Sequence, residues 1–311
     1  MATAIVVRKV WRPAFADLRG ARRRALWWSV GPSGELAVLL VHRRHLRRSR
    51  YVKGWMGWTP SMPFDGVLVI RSADGSVRRR RLKDLQIRPR HIALLPGSRI
   101  LLVGGRTSHD GQGVWAPNAT VYSPDGEPER EFCIGDDIPV LTTDARGVIW
   151  TAYGDEGIYG GHPESAAGLA GWNSDGRATW VPEGRLPDTP LEGCAAATER
   201  DHVWLAWYSG TRHGGTFLTR ITPATGVVTS WPSPVTAPDG IAVHGNRMLL
   251  TKRDHNRRST HITRAELTGT VWETVEERRI RTPGRVVLGC GQGRDGVLWL
   301  RAGDTWVDLH A

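Results

Sequence analysis

Apolar residues occur in short runs bounded by Gly, Asp, Asn, Ser or Pro, and no long stretch keeps a helical period. Short apolar runs between turn residues read as strands. The strongest are 35–39, 99–103, 148–152, 203–207, 247–251 and 297–300, spaced about fifty residues apart. Each follows a tight turn, at 31–34, 96–98, 144–147, 199–201, 244–246 and 293–296. Further along each unit comes a second turn, at 73–75, 124–126, 174–176, 224–226 and 268–269. Gly and Asp at such places supply the backbone conformations that hairpins need.

A four-strand unit repeated at this period is the signature of propeller blades. The last unit stops after its third strand at 305–309, while an unassigned strand stands at 4–10. The pattern therefore predicts an all-β, six-bladed β-propeller spanning 1–311 as one domain, with strand 4–10 completing the last blade. Closure of that kind hides sheet edges that would otherwise recruit other chains. Two packed β-sandwiches are the alternative, and regular spacing favours radial repetition over them.

The segment Pro238-Asp239-Gly240-Ile241-Ala242-Val243 resembles a blade start of the NHL, strictosidine-synthase-like and gluconolactonase (regucalcin) propellers. Residues 149–160 are similar to a blade of uncharacterised actinobacterial propellers. The resemblance implies a six-bladed propeller. In gluconolactonase-like members an acidic ring with Asn at the channel holds a metal, and Asp239 matches the Asp of that element. The Glu-x-Pro-x-Trp element and the channel Asn positions of those members are missing here.

Irregular sequence gathers in one class of connection, at 42–65, 104–118, 154–168, 209–216 and 252–261, and on a rigid scaffold function sits in such loops. The first of them sets Arg43, Arg44, Arg47 and Arg48 beside Tyr51, Trp55 and Trp58. Guanidinium groups next to flat rings suit phosphates, bases or acidic surfaces. Arg257 and Arg258 make the 252–261 loop basic too, Trp115 adds a ring, and Asp155 and Glu156 make the 154–168 loop acidic. A solvated charge run is the bland reading of each. Asp137, Glu192 and Asp239 stand before first strands, with His91 at a similar place. Converging carboxylates could hold Ca²⁺ or another divalent ion in the central channel, although Asp before Gly also serves as a turn residue.

Composition narrows the function without naming it. The 311 residues carry 42 Lys plus Arg against 31 Asp plus Glu, a formal charge of +11, nearly all of it Arg. Such an excess could steer an acidic protein, an anionic small molecule or nucleic acid, or reflect an ordinary Arg-rich surface. Three scattered cysteines exclude a disulfide framework and a CxxC site. No apolar run crosses a bilayer, so no membrane insertion is expected. Without a recognisable leader, and with free thiols, the expected compartment is the cytoplasm. Gly289-Cys290-Gly291-Gln292-Gly293 mimics a dinucleotide loop but precedes no helix, and neither a P-loop nor a GxSxG or HExxH motif is present. The sequence favours a non-catalytic propeller binding a protein partner or anionic ligand on its looped face. The alternatives are a metal-dependent hydrolase or lactonase at the channel mouth and nucleic-acid binding through 42–58. It leaves open whether the protein is an enzyme.

Overall fold

The computed structural model describes residues 6–48, 58–211, 214–254 and 258–311, without the side chains of Val287, Leu288 and Cys290. Two compact units are present, one formed by the described residues of 13–52 and 56–181, the second by those of 1–12 and 182–311. The opening strand, β1 (Arg8–Trp11), belongs to the second unit.

The first unit contains β2 (Arg23–Val30), β3 (Leu36–His42), a small hairpin of β4 (Leu46–Arg48) and β5 (Trp58–Pro60), then β6 (Phe64–Arg71) and β7 (Val77–Leu85). Its second sheet is β8 (His91–Leu95), β9 (Arg99–Val103), β10 (Ala119–Tyr122) and β11 (Pro128–Phe132). The third is β12 (Val140–Thr143), β13 (Ile149–Ala152), β14 (Leu169–Trp172) and β15 (Ala178–Trp180). Each sheet is a four-stranded antiparallel meander, with β4 and β5 inserted between the second and third strands of the first. The predicted second strands fall on β3, β9 and β13, whose middles are wholly buried. Outer strand β7 carries Arg78, Arg79, Arg80, Arg81 and Lys83, charges that blunt a sheet edge.

In the second unit, β16 (Pro190–Glu199), β17 (His202–Ser209), β18 (Thr216–Thr222) and β19 (Val227–Pro232) form one meander. A second comprises β20 (Gly240–His244), β21 (Arg247–Arg253), β22 (Ser259–Thr268) and β23 (Val271–Arg281). The third is β24 (Val286–Arg294), β25 (Val297–Ala302) and β26 (Thr305–His310), completed by β1 against β26. The terminal strand is thus Arg8–Trp11 rather than 4–10. Residues 6 and 7 lie outside any strand, and 1–5 are outside the described residues. Register is fixed by side chains. The Arg8 guanidinium grips both oxygens of Asp308 (3.1 and 2.5 Å), and the Trp11 and Trp306 rings lie 5.4 Å apart.

The tight turns share one chemistry. Ser123, Asp144 and Asn173 each open a turn, and each side chain accepts from the backbone N–H groups two and four residues on. Gly126, Gly147 and Gly176 sit at the left-handed position of those turns. The dinucleotide-like run 289–293 has a packing role. A Cβ at Gly293 would fall 2.0 Å from the Ile241 carbonyl oxygen, and one at Gly291 would fall 2.6 Å from the Gly240 Cα. Glycine there lets β24 press against β20 and pair in parallel with β16 at 197–198. Trp150, Trp204 and Trp299 are buried, as strand positions require. No helix among the described residues is long and apolar enough to cross a membrane.

Candidate functional site

At the loop-bearing end of the β2-β3-β6-β7 sheet lies a cavity of about 310 Å³ lined by Arg23, His42, Arg44, His45, Asp65 and Arg81 over a floor of Leu40, Gly66 and Val67. The register builds it. Arg23 pairs with His42, Leu40 with Val67, and Val67 with Arg81. Side chains alternate along a strand, so these residues share one face and end together at its rim. A helical turn, Arg43–His45, then folds Arg44 and His45 over the opening.

The polar contacts fix the state of both imidazoles. The Arg44 backbone N–H donates to His42 Nδ1 (3.1 Å), which leaves the proton on Nε2. Arg44 Nε donates to His45 Nε2 (3.1 Å), so His45 carries its proton on Nδ1. Burial, and then the neighbouring Arg44, His45, Arg23 and Arg22, hold His42 below its ordinary value. Asp65 accepts from Arg81 at 3.0 Å and from the Asp84 N–H at 3.1 Å, contacts that keep its carboxyl low. Among the described residues of the lining, one carboxylate thus stands with three guanidinium groups and two imidazoles.

Of the residues expected in the first loop, Arg44 lines this cavity. Arg43, Arg47 and Arg48 are exposed nearby, and Trp58 is half-buried with the Arg24 guanidinium 4.1 Å over its ring. Tyr51, Trp55 and Arg257 lie outside the described residues, and Arg258 is exposed in the second unit. Sequence reasoning missed Arg23, Asp65 and Arg81. The available signal was that Arg23 and Asp65 stand at strand starts on the side opposite the tight turns, while Arg81, in the middle of β7, is brought in by its pairing with Val67.

A second constellation in the same unit surrounds the 104–118 and 154–168 loops. Asp136, 4% exposed, accepts from Arg106 Nε (3.0 Å) and Nη2 (3.1 Å) and from the Thr107 N–H (2.7 Å). Arg106 also pairs with Glu156. Asp137 adopts a left-handed backbone (φ 46°), and its carboxyl comes within 4.8 Å of that of Asp155. Burial raises the Asp137 carboxyl, while Arg90 and Arg106 pull it down. Asp155 and Glu156 open the one-turn helix α1 (Asp155–Ile158), which packs so closely that a Cβ at Gly157 would lie 2.0 Å from the Asp136 carbonyl oxygen. His91 meets the Ile138 carbonyl at 2.7 Å, and burial lowers it to about 4. The ring is therefore neutral and donates from Nε2. The Trp115 ring meets His109 edge-on and His162 at a tilt, with ring centres 4.9 Å apart in each pair.

In the second unit, Asp239 is buried and engaged. It accepts from the Arg253 N–H (2.8 Å) and Nη1 (3.1 Å). Glu192 is exposed on β16. Glu192 and Asp239 both act on the Cys194 thiol, which burial foremost raises to about 12, against Lys252. Cys194 is consequently an inert thiol. As cation ligands, Asp137 and Asp155 suit a hard ion by carboxylate chemistry, whereas Asp239 would first have to release Arg253.

No family model matches the chain, and no curated protein matches it. Among solved structures, a subtype N10 neuraminidase-like protein of an A/little yellow-shouldered bat/Guatemala isolate matches with a TM-score of 0.52 at 9% identity, over 98% of this chain and 99% of that one. The fold is a β-propeller. Virginiamycin B lyase from Staphylococcus aureus, bound to quinupristin, also matches (TM-score 0.47, 11% identity, 99% of this chain and 100% of that one). So does a gluconolactonase-family protein (TM-score 0.43, 16% identity, 98% and 97%). At these identities the propeller matches carry the fold alone.

Proposed function

We propose that this chain is a non-catalytic, six-bladed propeller of residues 1–311, closed by its N-terminal strand, that binds an anionic ligand or acidic partner on the face bearing its long loops. The observation that carries the reading is the cavity of the first sheet, where Arg23, Arg44 and Arg81 meet with Asp65 as the one carboxylate in its lining. Arginine suits this task because its planar fork stays charged and binds oxyanions through two donors at once. Val67, half-buried beneath, supplies apolar surface for the body of a ligand. Titration calorimetry with inorganic phosphate at low salt tests it. Heat of binding in the wild type, lost in the Arg23→Ala/Arg44→Ala double variant, supports the reading, and no heat refutes it. Binding to mixed oligonucleotides with a steep salt slope, abolished by Arg47→Ala/Arg48→Ala, would favour the nucleic-acid alternative instead.

A second reading, a metal-dependent hydrolase or lactonase, rests on the approach of Asp137 to Asp155. A bound divalent ion would polarise a carbonyl or phosphoryl oxygen. Asp137 and Asp155 are its proposed ligands. Calcium or manganese that raises the melting temperature, with the rise lost in Asp137→Ala, supports it, and no rise with either ion removes it.

A further inference from the structure

Within the anion-binding reading, on which this inference rests, the chemistry of the cavity narrows the ligand class. Its fixed charges are Arg23, Arg44 and Arg81 against Asp65, a net charge of +2 by side-chain count. The groups facing His42 from every surrounding element are Arg22 of the turn before β2, Arg23 of β2, Arg44 and His45 of the helical turn, Asp65 of β6 and Arg81 of β7. Protonating either imidazole would put a second hydrogen against a donor: the Arg44 N–H at His42 Nδ1, the Arg44 Nε–H at His45 Nε2. In this arrangement each imidazole accepts from Arg44 and keeps one N–H to donate.

We infer that the cavity selects a small molecule bearing a phosphomonoester in its dianionic form, with the phosphate between Arg23 and Arg44 and the organic body over Val67. A dianion balances the charge of the lining, whereas a monoanion leaves one guanidinium uncompensated. The volume, about 310 Å³, is at the lower end of small-molecule sites and exceeds a bare phosphate. Phosphodiesters carry a single charge per phosphate and match it less well.

A phosphomonoester loses its second proton near pH 6 and is largely a monoanion at pH 5, while sulfate stays a dianion throughout and so reports any change in the cavity itself. The experiment titrates the whole protein with glycerol 3-phosphate, sulfate and acetate at pH 7.5 and pH 5. Glycerol 3-phosphate is expected to bind at pH 7.5 and to weaken by up to about tenfold at pH 5, sulfate not to weaken, and acetate to bind at least tenfold more weakly than either at pH 7.5. Arg44→Ala should cost tenfold or more for both dianions, and Arg146→Ala, exposed on a distant turn, should cost nothing. Vesicles containing phosphatidic acid supply the same headgroup from a lipid, and preference for the soluble ester supports a small-molecule ligand. Acetate bound as well as sulfate, or both dianions losing affinity in parallel at low pH, overturns the inference while leaving anion binding intact. Absence of binding by every anion overturns both. Preference for the vesicles, or for an unphosphorylated oligonucleotide, overturns the small-molecule assignment.

Discussion

Replacing Asp239 by Ala removes the carboxylate from a buried pair in which both side chains are no more than 10% exposed. Arg253 is left with a buried charge, and its Nε has no hydrogen-bond partner. Breaking a buried pair from one side costs about 3–5 kcal/mol, and the Arg253 N–H also loses its acceptor. A loss of about 4 kcal/mol corresponds to a fall of roughly 10 °C in melting temperature for a unit of this size. The assay is urea and thermal unfolding of Asp239→Ala, Arg253→Met and the double variant. The double variant should recover most of the loss, because an apolar pair of similar volume needs no charge compensation. Asp239→Asn should fall between, since it keeps an acceptor for the backbone N–H without the charge. A single-variant loss below about 1 kcal/mol, or additive losses in the double, would refute a structural role for this pair. A normal melting temperature combined with lost divalent-ion binding would make Asp239 a ligand instead.

Three further outcomes follow from the site geometry. His91 is neutral in the fold with a pKa of about 4 against an ordinary 6.5, so between those values the unfolded chain holds a proton that the folded chain lacks. Stability should therefore be complete above pH 6.5 and fall toward pH 4 by about 2–3 kcal/mol, and urea midpoints across that range should flatten in His91→Gln. Asp17 is paired with Arg79 at 2.7 and 2.9 Å, which holds its carboxyl below the usual range. Its contribution is present above the unfolded value and lost as pH falls through the folded one, so Arg79→Ala should lose less stability than wild type on acidification below pH 4. Gly157→Ala forces a methyl onto the Asp136 carbonyl oxygen and should destabilise by about 2 kcal/mol or more, with the proteolysis rate of the 154–168 loop rising; unchanged cleavage and stability would contradict the packing of α1.

The strand repeat was legible because it is local. Short apolar runs between Gly, Asp and Asn dictate hairpins wherever they occur, and each predicted second strand coincides with an observed one. Loop placement followed from the same period, and it singled out Arg44 and Asp155, while Asp137 was singled out by its place before a first strand. The bounds of the strand that pairs with β26 were not legible, because Arg8 and Trp11 are chosen by Asp308 and Trp306, some three hundred residues away.

Likewise, Asp239 looks like a turn residue or metal ligand in sequence, and only the approach of Arg253 assigns its charge. The run 289–293 suggests a phosphate loop until its glycines are seen to admit Gly240 and Ile241. Alternation and turn chemistry act over a few residues, and so the amino-acid order alone determined strands, turns and the side of each sheet that carries long loops. The partners of charged side chains depend on which strand ends meet, so only the tertiary structure decided that Arg23, Arg44 and Arg81 converge on one cavity while Asp239 is neutralised.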